Sequence, residues 1–226
     1  MTRDAIGAEV ARLLVEAQAI QVSHDRPFIL AAGWASPVYV DCRRLIGLPD
    51  MRRRITALAT TAVQAQFPAD AFDAVAGAET AGIPFAAWLA DALDLPLRYV
   101  RKRPLGIGND SQVEGGPVEG QRVLLMDDLT TDAVSKVAFA RGLRAAGAVV
   151  TDVLSIFYHS AFPGADARLA EAGLVLHPLA TWHDVLGSDL RGRLDDENRR
   201  RIEQFLADPV AWSARHGGRS LRQMVR

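Results

Sequence analysis

Cysteine is almost missing from this chain. One residue, Cys42, stands in 226, which excludes an internal disulfide framework and any metal site built from several thiolates. Net charge is missing too: 26 Lys and Arg stand against 27 Asp and Glu. There is no global basic field for nucleic acid to meet. No apolar run approaches the roughly 18 residues of a membrane span, and no N-terminal stretch has signal-peptide form. The five histidines, at 24, 159, 177, 183 and 216, show no metal-ligand spacing. Internal repeats and low-complexity tracts are also absent. These absences lead us to expect a soluble, cytoplasmic protein in a reducing compartment, without nucleic-acid or membrane partners and without a resident metal.

What is present is a core. The chain is 49% hydrophobic, enough for one sizeable α/β domain. Ile6, Val10, Leu13, Leu14 and Ala17 share the face of a helix over residues 3–20, with Thr2 as its cap. Short strands follow in Pro27–Gly33 and Ser36–Asp41. Asp50 is placed to cap a helix running to about Gln66, which Pro68 stops. Strands over 72–76, 97–100, 123–126 and 149–158 and near Val175 alternate with helices over 84–93, 133–146 and 165–172. Their apolar, non-alternating character argues for a mostly parallel central sheet covered on both faces. A further helix is expected over 195–207, and an Arg-rich tail over 207–226. The domain assignment is a single unit over 1–206 with a small N-terminal hood over about 1–45.

The stretch 123–136 carries the clearest chemistry. The apolar run Val123–Met126 reads as a buried strand ended by Asp127 and Asp128. A polar turn, Leu129–Asp132, leads into a helix near Ala133. Turn N–H groups and a helix N-terminus suit a phosphate, whereas carboxylates repel one but accept hydrogen bonds from sugar hydroxyls. The pattern asks for a ligand with hydroxyls at one end and a phosphate at the other. Other pieces fit such a ligand. Arg98, Arg101, Lys102 and Arg103 lead into a glycine-rich loop over 104–120, suited to closure over a polyanion. Gly77–Pro84 is a second turn at a strand end, placed for another phosphate. Arg43 or Arg44 is a candidate partner for a carboxylate, and His159 follows a predicted strand end.

The stretch 123–136 resembles the phosphoribosyl-pyrophosphate (PRPP) motif of type I phosphoribosyltransferases. Together with the hood segment Phe28–Arg43, the Gly77–Pro84 turn and the stalk Tyr99–Lys102, it is similar to the orotate phosphoribosyltransferase family over roughly 5–206. The resemblance implies a type I phosphoribosyltransferase-like α/β fold. It implies transfer of phosphoribosyl from PRPP to orotate, with substrate-bound Mg²⁺ as cofactor, in pyrimidine nucleotide biosynthesis. It also implies a homodimer in which loop 101–120 reaches the partner's site. By the same resemblance, Asp127 and Asp128 hold the ribose hydroxyls and Thr130–Ser135 cradle the 5-phosphate. The PRPP site then comprises Asp127, Asp128, Leu129, Thr130, Thr131, Asp132, Ala133, Val134, Ser135, Glu79 and Thr80. Arg101 and Lys102 reach the pyrophosphate, and Tyr39, Val40 and Thr131 meet orotate.

The chain also departs from the family pattern. Leu105 stands where the mobile loop usually carries a further Lys, and Ile107 where it carries a ring residue. Ala133 and Val134 replace small or glycine residues of the phosphate loop. No Arg follows the strand over 149–158 to meet an orotate carboxylate. Three readings stand at this point: a working orotate transferase, a catalytically impaired paralogue that binds PRPP or a nucleotide as a sensor or regulator, and a transferase for another base.

Overall fold

The structure is a computed structural model that describes residues 1–104, 112–187 and 194–219. Helix α1 (Arg3–Glu16) is capped by Thr2, whose side chain accepts from the Ala5 N–H at 3.3 Å. Four short strands then build the hood: β1 (Ile20–Val22), β2 (Phe28–Ile29), β3 (Ala35–Ser36) and β4 (Val38–Val40). β1 pairs antiparallel with β4, and β2 with β3. A 3₁₀ segment, Cys42–Gly47, leads to α2 (Pro49–Gln66). Asp50, expected as the cap of that helix, lies inside its first turn. Pro49 takes the first helical position, where a fixed φ and a missing N–H do no harm.

The sheet follows: β5 (Ala74–Ala78), α3 (Gly82–Leu93), β6 (Leu97–Val100), β7 (Val113–Glu114), β8 (Val123–Thr130), α4 (Val134–Ala145), β9 (Asp152–Tyr158), α5 (Ala165–Glu171) and β10 (Val175–Thr181). Its six strands run in the order β10-β9-β8-β5-β6-β7, with every pair parallel except β6–β7. The chain is therefore α/β with a mostly parallel central sheet flanked by helices. β7 was not expected, because the glycine-rich stretch around it reads as open loop. Two residues suffice to pair with the end of β6.

α1, α2, α3 and the hood cover one face of the sheet, and α4 and α5 cover the other. Sequence order leaves β5 toward β6 on one side and leaves β8 toward β9 on the other, so the direction of winding reverses between β5 and β8. A crevice opens at the carboxyl ends of strands where that reversal occurs. No described helix is long and apolar enough to cross a membrane.

Three helices close the described chain: α6 (Trp182–Gly187), α7 (Asp196–Ala207) and α8 (Pro209–Arg215). α8 falls in the stretch expected as a tail, and it packs on the hood. Ser213 Oγ accepts from the Ala35 N–H at 3.0 Å, and the Arg219 N–H donates to the Gly33 carbonyl at 2.8 Å. Residues 220–226 and the arginines at 191 and 193 lie outside the described residues.

Candidate active site

β8 reaches further than its apolar stretch. Pairing with β5 stops at Gly77↔Met126, but pairing with β9 continues to Thr130↔Tyr158. Asp127 and Asp128 therefore lie within the strand instead of ending it. One side of that strand end is ladder-bonded and the other opens on the crevice. Successive residues of a strand face opposite ways, and the two carboxylates have different neighbours. Asp127 is 7% exposed and pairs with Lys136 of α4. Asp128 faces the hood, where its charge acts on Cys42 and Arg43.

The electrostatics follow from that placement. Burial and the neighbouring Asp127 charge push the Asp128 carboxyl up to about 7, against a smaller opposing pull from Lys136. Lys136 is 2% exposed, so its ammonium is fully committed. It donates to Asp127 Oδ2, to the Leu129 carbonyl at 2.6 Å and to Ser135 Oγ at 3.4 Å. Burial and the nearby carboxylates hold the Cys42 thiol well above its ordinary range, so it is not an activated nucleophile.

The turn after β8 is braced from two sides. Asp132 Oδ1 accepts from the Val134 N–H at 3.2 Å, and Arg168 of α5 donates to the Asp132 carbonyl. Thr131 and Asp132 are partly buried, Val134 and Ser135 are exposed, and the Thr130 hydroxyl is buried without a partner. Ala133 caps α4 with φ +61°, in the left-handed region. An L-residue with a Cβ is strained there by roughly 1–2 kcal/mol, and glycine is not. Ala133→Gly is therefore expected to stabilise the protein by about 1 kcal/mol, read as a higher urea midpoint at unchanged slope.

The second turn starts later than its glycines suggest. Gly77 is inside β5, where a Cβ would meet Ile83 Cα at 2.6 Å, so its role is close approach of α3. The turn proper contains Glu79 and Thr80, joined by a cis peptide bond. Glu79 accepts from the Lys102 N–H at 2.6 Å, tying this turn to the basic stalk. The Lys102 side chain is exposed. Arg101 is turned to its own hairpin, with Nε on Glu114 at 3.1 Å and its guanidinium against Tyr99. Leu105 and Ile107 lie outside the described residues.

On the hood, Arg43 donates to the Tyr39 hydroxyl at 2.9 Å and pairs with Asp41 at 2.5 Å. Tyr39 is partly exposed, whereas Val40 is 2% exposed and packs in the core, as alternation along β4 requires. The structure thus gathers Asp127, Asp128, Thr131, Asp132 and Ser135 around one strand end. Arg43 and the Tyr39 hydroxyl join across the hood, while the Val40 side chain stays in the core. His159 follows β9 but is buried. Trp182 donates to its Nδ1 at 3.0 Å, and burial holds its pKa down to about 4. Lys136 and Arg168 were not singled out from the sequence, because a lysine in α4 and an arginine in α5 give no sign there of the carboxylate and the carbonyl they reach.

Among the described residues, no three His, Cys, Asp or Glu side chains converge as a metal cage. The groups that do converge are carboxylates that accept, hydroxyls, and N–H groups that donate, which together suit a phosphorylated sugar.

No family model matches the chain. Curated relatives do. The orotate phosphoribosyltransferase of Rhizobium rhizogenes is 46% identical over 210 residues, covering 92% of this chain and 90% of that one. The orotate phosphoribosyltransferase of Dinoroseobacter shibae is 46% identical over 214 residues, covering 92% and 95%. Among solved structures, the orotate phosphoribosyltransferase of Aeropyrum pernix has a TM-score of 0.66 at 34% identity, over 79% of this chain and 97% of that one. UMP synthase of Leishmania donovani has a TM-score of 0.75 at 26% identity, over 89% of this chain and 42% of that one.

Proposed function

This chain belongs to the orotate phosphoribosyltransferase family and transfers phosphoribosyl from PRPP to orotate, giving orotidine 5-monophosphate and pyrophosphate, and we propose that the end of β8 is where it does so. The observation that carries the placement is the run Asp127–Ser135 lying in the crevice between β5 and β8, with the α4 N-terminus behind it.

In this reading the acidic pair accepts from the ribose hydroxyls. The Thr131–Ser135 turn and the α4 N-terminus take the 5-phosphate through N–H groups, hydroxyls and dipole. Glu79–Thr80 and Lys102 border the pyrophosphate, and the tie between Glu79 and the Lys102 N–H keeps the two together. Arg101 must leave Glu114 to join them. Orotate lies under the hood between Tyr39 and Thr131, with Arg43 as the cation for its carboxylate. Bond loosening at C1 places positive charge on the ribose and negative charge on the pyrophosphate. The preorganised groups around each end stabilise that separation. Mg²⁺ enters on PRPP, whose oxygens are the hard ligands it prefers, and when bound it offsets the leaving-group charge. A homodimer, in which loop 101–120 closes over the partner's site, and a cytoplasmic setting complete the reading.

Base choice tests it. Pyrophosphate release from Mg²⁺–PRPP is expected with orotate and not with uracil or adenine, because Arg43 recognises the carboxylate. Equal release with uracil rules out that recognition.

A further inference from the structure

The hood hangs on few bonds of its own. Three residue pairs join β1 to β4 and two join β2 to β3, and neither pair of strands belongs to the six-stranded sheet. Two-stranded pairs this short are not stable alone in water, so their order comes from what they pack against. For the β2–β3 hairpin that support is α8 and the residues after it. Ser213 is fully buried, and its Oγ joins two main-chain groups: it accepts from the Ala35 N–H at 3.0 Å and donates to the Arg219 carbonyl at 2.8 Å. The Arg219 N–H donates to the Gly33 carbonyl at 2.8 Å. The Arg219 guanidinium reaches the Ala32 carbonyl at 3.4 Å and lies 5.9 Å from the Trp34 ring. Gly218 passes so close that a Cβ there would collide with the Ala35 N and stand 2.6 Å from the Ala35 Cβ. Ahead of the hairpin, Arg201 of α7 donates to the His24 carbonyl at 3.0 Å.

The hairpin in turn supports the strand that carries Tyr39. Phe28 of β2 packs on Tyr39 with ring centroids 5.5 Å apart. Ser36 Oγ accepts from the Val38 N–H at 3.1 Å and donates to the Val38 carbonyl at 2.8 Å, which fixes the bend at Pro37 that aims β4. The Tyr39 hydroxyl then takes the Arg43 guanidinium. An unbroken chain of hydrogen bonds and packed rings thus runs from Ser213 through Ala35 and the hairpin to Tyr39 and Arg43, and coupling travels through contacts of this kind.

We propose that Ser213, Gly218 and Arg219 form a strap of positioning residues for the base, holding the β2–β3 hairpin where Tyr39 and Arg43 meet orotate. This rests on the reading that the hood takes orotate. The strap acts through Tyr39 and Arg43 and not on the substrate. Its effect is confined to one substrate, because PRPP is assigned to the end of β8 and the Glu79–Thr80 turn, which the strap does not hold. Loss of the Ser213 hydroxyl leaves the buried Ala35 N–H without an acceptor. A buried donor in that state is unfavourable, and the hairpin relieves it by moving toward water, which takes Phe28 from Tyr39.

The test measures KM for orotate and KM for PRPP separately, with Mg²⁺, in wild type, Ser213→Ala, Gly218→Ala and Arg219→Ala. Binding of orotidine 5-monophosphate and of PRPP is followed by calorimetry, and thermal unfolding in parallel. Ser213→Ala is expected to raise KM for orotate about tenfold while KM for PRPP stays within about twofold of wild type. Gly218→Ala pushes the strap off Ala35 and is expected to give the same split. Arg219→Ala removes only the guanidinium and is expected to raise KM for orotate about threefold. Affinity for orotidine 5-monophosphate is expected to fall by the same factors, with PRPP affinity kept. A hood that merely folds less well lowers the unfolding midpoint and the amount of active enzyme but leaves both KM values in place. An unchanged KM for orotate in Ser213→Ala and Gly218→Ala, or KM values for both substrates that rise together, overturns the proposal. If neither variant folds, Arg219→Ala decides, and an unchanged KM for orotate there overturns the proposal as well. Wild type that consumes no orotate refutes the functional reading itself, whereas wild-type turnover with unaffected variants refutes only the strap.

Discussion

Asp128→Asn is expected to raise the unfolding midpoint of the free protein at pH 8 while removing most of its transferase activity. Burial and the Asp127 charge raise the folded-state pKa of Asp128 to about 7, against roughly 4 in an unfolded chain. Between those values the folded protein holds a proton that the unfolded chain has released. Stability therefore falls as pH rises across that window and stays reduced above it. Three pKa units correspond to about 4 kcal/mol at most. Sharing with the coupled Asp127 leaves about half of that, or roughly 4–8 °C in midpoint for a chain of this size. A neutral Asn of the same shape removes the penalty. It also removes the anionic acceptor proposed for the ribose, and loss of one preorganised group of this kind costs roughly 10²–10³ in rate. In wild type, KM for PRPP is expected to fall as pH rises through about 7 and to level off above it. Midpoints at pH 5 and pH 8 and a pH series of initial rates check both halves. An Asn variant less stable than wild type at pH 8 contradicts the electrostatic account.

The second large effect concerns backbone spacing. Gly82 opens α3 directly over β8, where a Cβ would meet the Met126 carbonyl oxygen at 2.5 Å and Asp127 Cα at 3.0 Å. The neighbours are main chain and cannot rotate away. Gly82→Ala must therefore push α3 off the strand end, at a cost of about 1–3 kcal/mol. For a chain of this size that lowers the midpoint by roughly 2–4 °C per kcal/mol. The displaced atoms are those that aim the acidic pair, and a misplacement of about 1 Å can cost 10²-fold in rate. Thermal unfolding and kcat/KM for PRPP measured on the same variant are expected to fall together. A variant with a wild-type midpoint shows that the contact is relieved elsewhere.

Much of the architecture was legible in the residues. Apolar strands alternating with amphipathic helices gave the parallel sheet, and the acidic pair with its polar turn marked the strand end at which the site is proposed. The misses have physical causes. β8 runs four residues past its apolar stretch because ladder bonds to β9 carry it, and sequence polarity does not report backbone pairing. β1 and β7 are edge pairings of two or three residues, too short for periodicity to register. α8 has only seven residues, too few for periodicity to register, and it joins the hood through Ser213 while Val210 and Trp212 pack against the core. Lys136 was passed over because a helical lysine is usually solvated, and only the fold reveals the buried carboxylate beneath it. Ala133 could be read in part. A departure from glycine in a phosphate turn raises the question of positive φ, and the structure has it.

The reaction itself is the most direct test. Loss of orotate absorbance is followed at pH 8 with PRPP and Mg²⁺, for wild type and Asp128→Asn side by side. PRPP-dependent consumption of orotate by wild type, with a rate roughly 10²-fold lower or less in the variant, is the predicted result. No consumption by folded wild type contradicts the assignment of this activity to the chain, and an undiminished rate in Asp128→Asn contradicts its placement at the end of β8.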